Sequence, residues 1–279
     1  MDIKESHDKI LNPVVRIHTG KAGGSGTVIY SEPNPDKQDE YQTFILTCQH
    51  VVDDAITTKK GWDGLLKKEI EKEFLERVAV EIFDYVYMSH VNSSNSHKAD
   101  IVAYDQYHDI AVLKLVSPKK VDYVARLIPR DKIDGVKLFA PTWVSGCSLL
   151  HDPFANAGFV TYLDEMIDNK LYWMGNGNSI FGNSGGAVFL ADTGEQIGIT
   201  ARISSIQIGF GVDIMTWMGF FVAPQRIYEF FDEQELKFLY DSTDTYAKAV
   251  ERRKKKAEKA LMSIKFDEEN KPDTDAEEH

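Results

Sequence analysis

The run Gly182-Asn183-Ser184-Gly185-Gly186 sits between Asn178-Ser179-Ile180-Phe181 and the apolar stretch Ala187-Val188-Phe189-Leu190. A serine between glycines, followed at once by a strand-like stretch, reads as a nucleophile carried on a tight turn. Glycine lets the backbone take the positive or strained φ values that aim N–H groups at a reacting oxygen. The same run also fits an ordinary Gly-rich hairpin turn. A serine hydroxyl is a poor nucleophile alone, so the reading depends on a base and an orienting acid elsewhere in the chain.

Two upstream stretches offer them. His50 closes the β-prone run Phe44-Ile45-Leu46-Thr47-Cys48-Gln49, and Asp109 opens the alternating apolar run Ile110-Ala111-Val112-Leu113-Lys114-Leu115. Taken singly, a His or an Asp at a strand end is an ordinary turn residue. The order His, Asp, Ser is one of several in which unrelated folds build the same triad. Asp100 and Asp105 lie near Asp109. Asp105, in Ala103-Tyr104-Asp105-Gln106, reads as a turn residue and is the second candidate acid. His108 adjoins Asp109, and neighbours on a strand face opposite sides, so it reads as a loop or surface residue. His97 and His151 lie in polar loops with no motif around them.

Around these positions the chain shows many short β-prone runs divided by Gly, Pro, Asn and Asp. Examples are Val14–Ile17, Gly26–Tyr30, Thr43–Thr47, Val78–Tyr87, Gly158–Leu163, Gln196–Ile203 and Gly219–Val222. Regularly spaced short strands point to an all-β barrel or sandwich. Pro224–Tyr240 carries Ile227, Phe230, Phe231, Leu236 and Leu239, a stripe that suits a helix packed on the outside.

Thr47-Cys48-Gln49-His50-Val51-Val52, His108-Asp109-Ile110-Ala111-Val112-Leu113 and Gly182-Asn183-Ser184-Gly185-Gly186 together resemble the motif blocks of chymotrypsin-fold serine proteases, nearest the HtrA/Deg-like branch. Asn12–Ile17 with Gly24–Ile29, and Gly194–Thr200 with Met218–Pro224, resemble that branch's entry and last strands, so the resemblance covers roughly residues 12–230. It implies two antiparallel six-stranded β-barrels: residues 10–118, supplying His50 and Asp109, and residues 119–230, supplying Ser184, with helices and a tail over 231–279. It also implies roles. Ser184 attacks the scissile carbonyl, His50 is the base, Asp109 orients it, and the N–H groups of Gly182 and Ser184 form the oxyanion hole. The substrate pocket falls to Asn178, Ser179, Ala201, Arg202, Ile203 and Gly219, with Phe181 at its rim. Asn178 stands where an acidic pocket floor would select Lys or Arg, so small-to-medium apolar P1 residues are expected. Protein or peptide substrates are implied, with no cofactor and no metal.

Four features depart from the family pattern. Lys59–Arg77 places Leu65, Leu66, Ile70, Phe74 and Leu75 among alternating charges, which predicts an amphipathic helical insertion in the first barrel; it reads as a solvated decoration or as a docking element. The residues after Phe230 are too few for a PDZ module. Tyr246–Lys265 is rich in Arg, Lys and Ala and predicts a helix, a second candidate surface for a regulatory protein, followed by an acidic end expected to lack structure. The polar N-terminus offers no secretory signal, so a cytoplasmic location is expected.

Bulk properties agree with that reading. The chain has 279 residues, a net charge of −12 and two cysteines. Two cysteines make no disulfide framework, and the acidic balance argues against general nucleic-acid affinity. No stretch approaches the length of a membrane span. Cys48, two residues before His50, reads as packing beside the site; a cysteine nucleophile would stand where Ser184 does. Two other readings stay open: a latent protease activated by a partner assembly, and a catalytically silent binding scaffold. An α/β-hydrolase is disfavoured because a strand, not a helix, follows the serine.

Overall fold

A computed structural model describes residues 1–64 and 67–269. By its internal contacts the chain parts into two compact units: Met1–Thr57 with Glu73–Phe230, and Thr58–Lys72 with Phe231–His279.

The first unit opens with a short helix α1 (Ile3–Ser6), capped by the Asp2 carboxylate, which accepts from Glu5 N–H at 2.7 Å. Six strands then close into a barrel: β1 (Val14–His18), β2 (Gly23–Pro33), β3 (Tyr41–Thr47), β6 (Val78–Tyr85), β7 (Val91–Asp105) and β8 (Ile110–Leu115), in the order β1-β2-β3-β8-β7-β6. All pairings are antiparallel. Phe44, Ile45 and Leu46 on β3, and Ile110 to Leu113 on β8, are fully buried, so both faces of these two central strands are covered. His50 and Asp109 lie just past the end of β3 and just before the start of β8.

The second barrel follows in chain order. It is built from β10 (Pro141–Gly146), β11 (Phe154–Ile167), β12 (Lys170–Gly175), β13 (Ala187–Leu190), β14 (Glu195–Ile208) and β15 (Gly211–Val222). The order β13-β10-β11-β12-β15-β14 is closed by β13 pairing with β14, and the short β9 (Arg126–Leu127) adds to β14 in parallel. The expected two-barrel, all-β architecture is what the chain adopts.

The predicted helix over Lys59–Arg77 is not formed. The segment is a two-stranded sheet of β4 (Ile56–Asp63) and β5 (Lys68–Leu75). Ile70, Lys72 and Phe74 alternate with Glu69, Glu71 and Glu73, so the run carries a period of two. In so short a segment, Ile70 and Phe74 satisfy helical spacing as well, and periodicity alone does not separate the two. Lys72 Nζ donates to the Trp62 carbonyl at 2.7 Å. Within the first unit, Tyr104 Oη donates to Glu73 at 2.6 Å. Leu65 and Leu66, two of the residues on which the helix reading relied, lie outside the described residues.

The expected helix over Pro224–Tyr240 is shorter than its apolar stripe. α2 (Pro224–Glu233) ends before Glu235, which takes φ 60°, and a single 3-10 turn Lys237–Leu239 follows. The basic segment forms α3 (Tyr246–Glu269) as predicted. In the second unit Arg252 holds its start, donating to both Asp244 carboxylate oxygens and to Glu235. The acidic end from 270 lies outside the described residues. Among the described residues no helix is long and apolar enough to cross a membrane.

Candidate active site

His50 sits in a 3-10 turn, Gln49–Val51, immediately after β3. Asp109 ends the β7–β8 turn with φ +60°, a left-handed conformation that Asp tolerates better than most residues. The two residues are joined twice. Asp109 Oδ1 accepts from the His50 backbone N–H at 2.9 Å, and Oδ2 lies 2.7 Å from His50 Nδ1. The double contact fixes both ring orientation and position. It leaves Nε2 as the free nitrogen of an imidazole that is half exposed, while the carboxylate is 17% exposed.

The Ser184 turn is held by a dense backbone junction with β2 and β14. The Ser184 carbonyl accepts from Ser25 N–H at 2.8 Å. Gly185, at φ +83°, lies so close to β2 and β3 that a Cβ there would collide with Ser25 O and Thr47 Oγ1. Cys48 Sγ donates to Thr200 O at 3.2 Å, and Gly185 N–H donates to the same carbonyl at 2.8 Å. The serine turn is therefore stitched to the residues just before His50. Replacing Gly185 by alanine is expected to cost about 3 kcal/mol of stability, from overpacking and the left-handed backbone together. Chemical denaturation of the purified variant checks this.

Ser25 is the residue that the sequence reading missed. It is fully buried on β2. Its hydroxyl donates to Gly182 O at 2.6 Å and accepts from Cys147 N–H at 2.7 Å, and its carbonyl accepts from Thr47 Oγ1 at 2.7 Å. The only local hint is a serine between glycines within a strand, Gly24-Ser25-Gly26. Asn183 is equally hidden, at 1% exposed. Its Oδ1 accepts from Ser148 at 2.5 Å and its Nδ2 donates to Ser179 Oγ at 3.4 Å. The loop before Ser184 is thus held from both ends. Gly182 takes φ +94°. Among the described residues, the N–H groups of Gly182 and Ser184 donate to no protein acceptor.

The predicted pocket residues divide. Ser179 and Gly219 line one small cavity of about 10 Å³ together with Gly175, Gly177 and Phe221. Ser179 N–H donates to Thr216 O at 2.8 Å, which pins this wall to β15. Ala201 is buried at a bulge of β14, between Thr200 and Arg202 in the pairing with β15. Arg202 pairs with Asp168 at 2.8 Å, its guanidinium over the Tyr172 ring, and Ile203 pairs with Gly219 across the hairpin. Asn178 is exposed and outside that cavity; its carbonyl accepts from Asn156 Nδ2 at 2.9 Å. Phe181 is exposed.

The second candidate acid, Asp105, has its own partner. It receives the His108 N–H at 3.0 Å and lies 2.7 Å from His108 Nδ1, and Arg226 approaches it at 3.3 Å. Burial pushes the Asp105 carboxyl up, but the His108 hydrogen bonds and the Arg226 charge outweigh it and hold the carboxyl below its ordinary value. Tyr107, in the same turn, donates to Asn169 O at 3.3 Å and lies beneath Lys170. The turn that leads into Asp109 is therefore anchored to the β11–β12 turn through Tyr107 and to α2 through Asp105.

Donor atoms of Cys48, His50 and Asp109 lie within 4.8 Å of one another. Burial pushes the Cys48 thiol far up, with the nearby Asp109 charge adding to the effect. A thiol that keeps its proton is neither a thiolate ligand nor a nucleophile, so the cluster suits proton handling by His50 and Asp109. Cys147 is likewise pushed up, to about 12, by burial.

The fold and the paired His and Asp beside a glycine-flanked serine define the class of chymotrypsin-like two-barrel proteins. The chain belongs to the trypsin-like peptidase domain family, whose profile matches residues 24–199. Among solved structures it is similar to the HtrA-type protease AlgW with a tripeptide, at 16% identity and a TM-score of 0.58, over 85% of this chain and 64% of that one. It is also similar to the MamO protease domain from Magnetospirillum magneticum in its apo form, at 16% identity and a TM-score of 0.53, over 80% of this chain and 97% of that one. The chain thus spans just under two thirds of the AlgW chain. At this identity the likeness concerns the fold. No curated protein matches the sequence.

Proposed function

We propose that this chain is a serine endopeptidase that cleaves peptide bonds through an acyl-enzyme. Ser184 Oγ attacks the scissile carbonyl as His50 Nε2 takes its proton; the imidazolium then protonates the leaving amine. Asp109 holds the Nδ1–H tautomer and stabilises the imidazolium. The Gly182 and Ser184 N–H groups receive the oxyanion, each worth about 3–4 kcal/mol of transition-state stabilisation. Water then enters, is deprotonated by His50, and releases the acyl group. The observation that carries this reading is the two-point bond between Asp109 and His50, at 2.9 and 2.7 Å, together with a serine turn whose Gly182 and Ser184 N–H groups have no protein acceptor among the described residues.

The test is turnover of an internally quenched peptide library by the wild type, compared with His50→Ala. Cleavage by the wild type that is lost in the variant supports the reading. Turnover that survives the loss of His50 contradicts it.

Asn178, standing where an acidic pocket floor would select Lys or Arg, supports small-to-medium apolar P1 residues. A buried Lys or Arg there would lack a counter-charge, which costs several kcal/mol. The expected result is at least about tenfold faster cleavage after Ala or Val than after Arg, equivalent to about 1.4 kcal/mol. A P1 scan in which Arg or Lys dominates contradicts this.

A further inference from the structure

Arg16 on β1 centres a charged cluster that the proposed chemistry does not use. Its Nε donates to Glu81 Oε2 at 2.6 Å, and Nη2 lies 2.5 Å from the same oxygen. His18 Nε2 stands 3.6 Å from that carboxylate, and Asp152 lies 3.5 Å from Arg16 Nη1. The Phe83 ring lies 5.1 Å from the guanidinium carbon. These contacts fix the direction of the side chain, which is largely buried. From there Nη1 donates to the Leu150 carbonyl at 2.7 Å.

Leu150 ends the turn Ser148–Leu150, just after β10. Leu149 and Leu150 take φ +52° and +59°, a left-handed backbone that is unfavourable for any residue with a Cβ. Both side chains are exposed, so burial does little to hold them there. The start of the turn is fixed by Cys147 N–H, which donates to Ser25, and by Ser148 Oγ, which donates to Asn183. At its end, where both left-handed residues fall, no side chain other than Arg16 donates to a carbonyl among the described residues. Leu149 N–H is spent on the serine loop, donating to Phe181 O at 2.7 Å. Phe181 O and Gly182 N–H belong to one trans peptide unit and point to opposite sides. Holding the carbonyl toward Leu149 therefore aims Gly182 N–H the other way.

We infer that Arg16 is a positioning residue for the Gly182 oxyanion donor, acting through the Ser148–Leu150 turn. This rests on the peptidase reading above, in which Arg16 touches neither the substrate nor the reacting atoms. The guanidinium holds Leu150 O, the left-handed pair stays in place, Leu149 keeps its bond to Phe181 O, and Gly182 N–H stays aimed. Without the guanidinium the two leucines relax toward ordinary backbone angles, the Leu149 bond is lost, and the Phe181–Gly182 peptide is free to rotate. β1 of the first barrel thus supports the oxyanion donor, in addition to that barrel's supply of His50 and Asp109.

The test is Arg16→Met, which keeps an apolar stem and removes the donors. On a fluorogenic peptide, kcat is expected to fall at least about tenfold with KM little changed, because a donor used in the transition state is misplaced. Affinity for a peptide aldehyde, whose tetrahedral adduct uses the same donor, falls by a similar factor. Binding of the uncleaved peptide in a Ser184→Ala background stays the same. Adding Leu149→Gly, which accepts the left-handed backbone without strain, recovers kcat by at least about threefold; a role in stability alone predicts no recovery. If Arg16→Met does not fold, Arg16→Lys keeps the ion pair with Glu81 but lacks the fork that reaches Leu150 at the same time, and the same split is expected. A folded variant with wild-type kcat and aldehyde affinity, or a loss confined to peptide binding, overturns the proposal. Cleavage of no peptide by the wild type is a failure of the peptidase reading, and the clamp is then read by amide hydrogen exchange. Exchange at Leu149 N–H at least about tenfold faster in the variant, with Leu46 N–H on β3 unchanged, supports it. Equal exchange at Leu149 in both proteins overturns it.

Discussion

Replacing Ser184 by alanine is expected to lower kcat by about six orders of magnitude, leaving only what the oxyanion donors and substrate binding provide. Cys48 is fully buried and gives its hydrogen bond to Thr200 O, and burial keeps it protonated. The variant should fold, because the turn is held by its backbone. Ser25 N–H donates to Ser184 O, and Gly185 N–H and Thr200 N–H close the ladder behind it, all at 2.8 Å. The check is steady-state turnover of a fluorogenic peptide, with thermal unfolding measured alongside. A variant that retains more than about 1% of wild-type kcat would move the chemistry to another group.

The second large effect is expected from Asp109→Asn, a fall in kcat of about 10⁴-fold near neutral pH. Asparagine accepts the left-handed φ of +60° that this position requires, so the backbone should survive. The change acts on proton placement. The carboxylate now accepts from His50 N–H through one oxygen and faces His50 Nδ1 with the other. In asparagine one of these becomes an NH2 group. With its oxygen kept on the His50 N–H, the NH2 faces Nδ1 and forces that nitrogen to accept. The ring proton then moves to Nε2, where it blocks uptake of the serine proton. KM should change little, because Asp109 does not reach the pocket. A profile of kcat against pH for the two proteins checks this. A loss smaller than about tenfold would mean that Asp109 is not the orienting acid.

The positions of these residues were legible because each rests on a local signal: a serine among glycines, a histidine at the end of one strand, an aspartate at the start of another. The two-barrel class followed from short, evenly spaced strands and from the resemblance that the motif blocks carry. What was not legible depends on distant contacts. Ser25 acts on Gly182 and Cys147, which lie more than a hundred residues away, and nothing in its own neighbourhood announces that. The β4–β5 hairpin was read as a helix because Ile70 and Phe74 fit both periods, and strand pairing decided between them. β14 was read as ending at Ile203 but runs to Ile208. Its extension is made by pairing with β15 across a turn at Gly209, φ +60°. Ser179 and Gly219 line one small cavity, and the pairing of Arg202 with Asp168 rests on a distant hairpin that no local pattern around Arg202 announces.

The central claim is that Ser184 is a nucleophile activated by His50. The direct measurement is intact-mass spectrometry of the protein after reaction with a fluorophosphonate, followed by peptide mapping. The account predicts one adduct, mapped to Ser184, formed by the wild type and absent from His50→Ala under the same conditions. A folded wild type that forms no adduct, or an adduct on another residue, would contradict it.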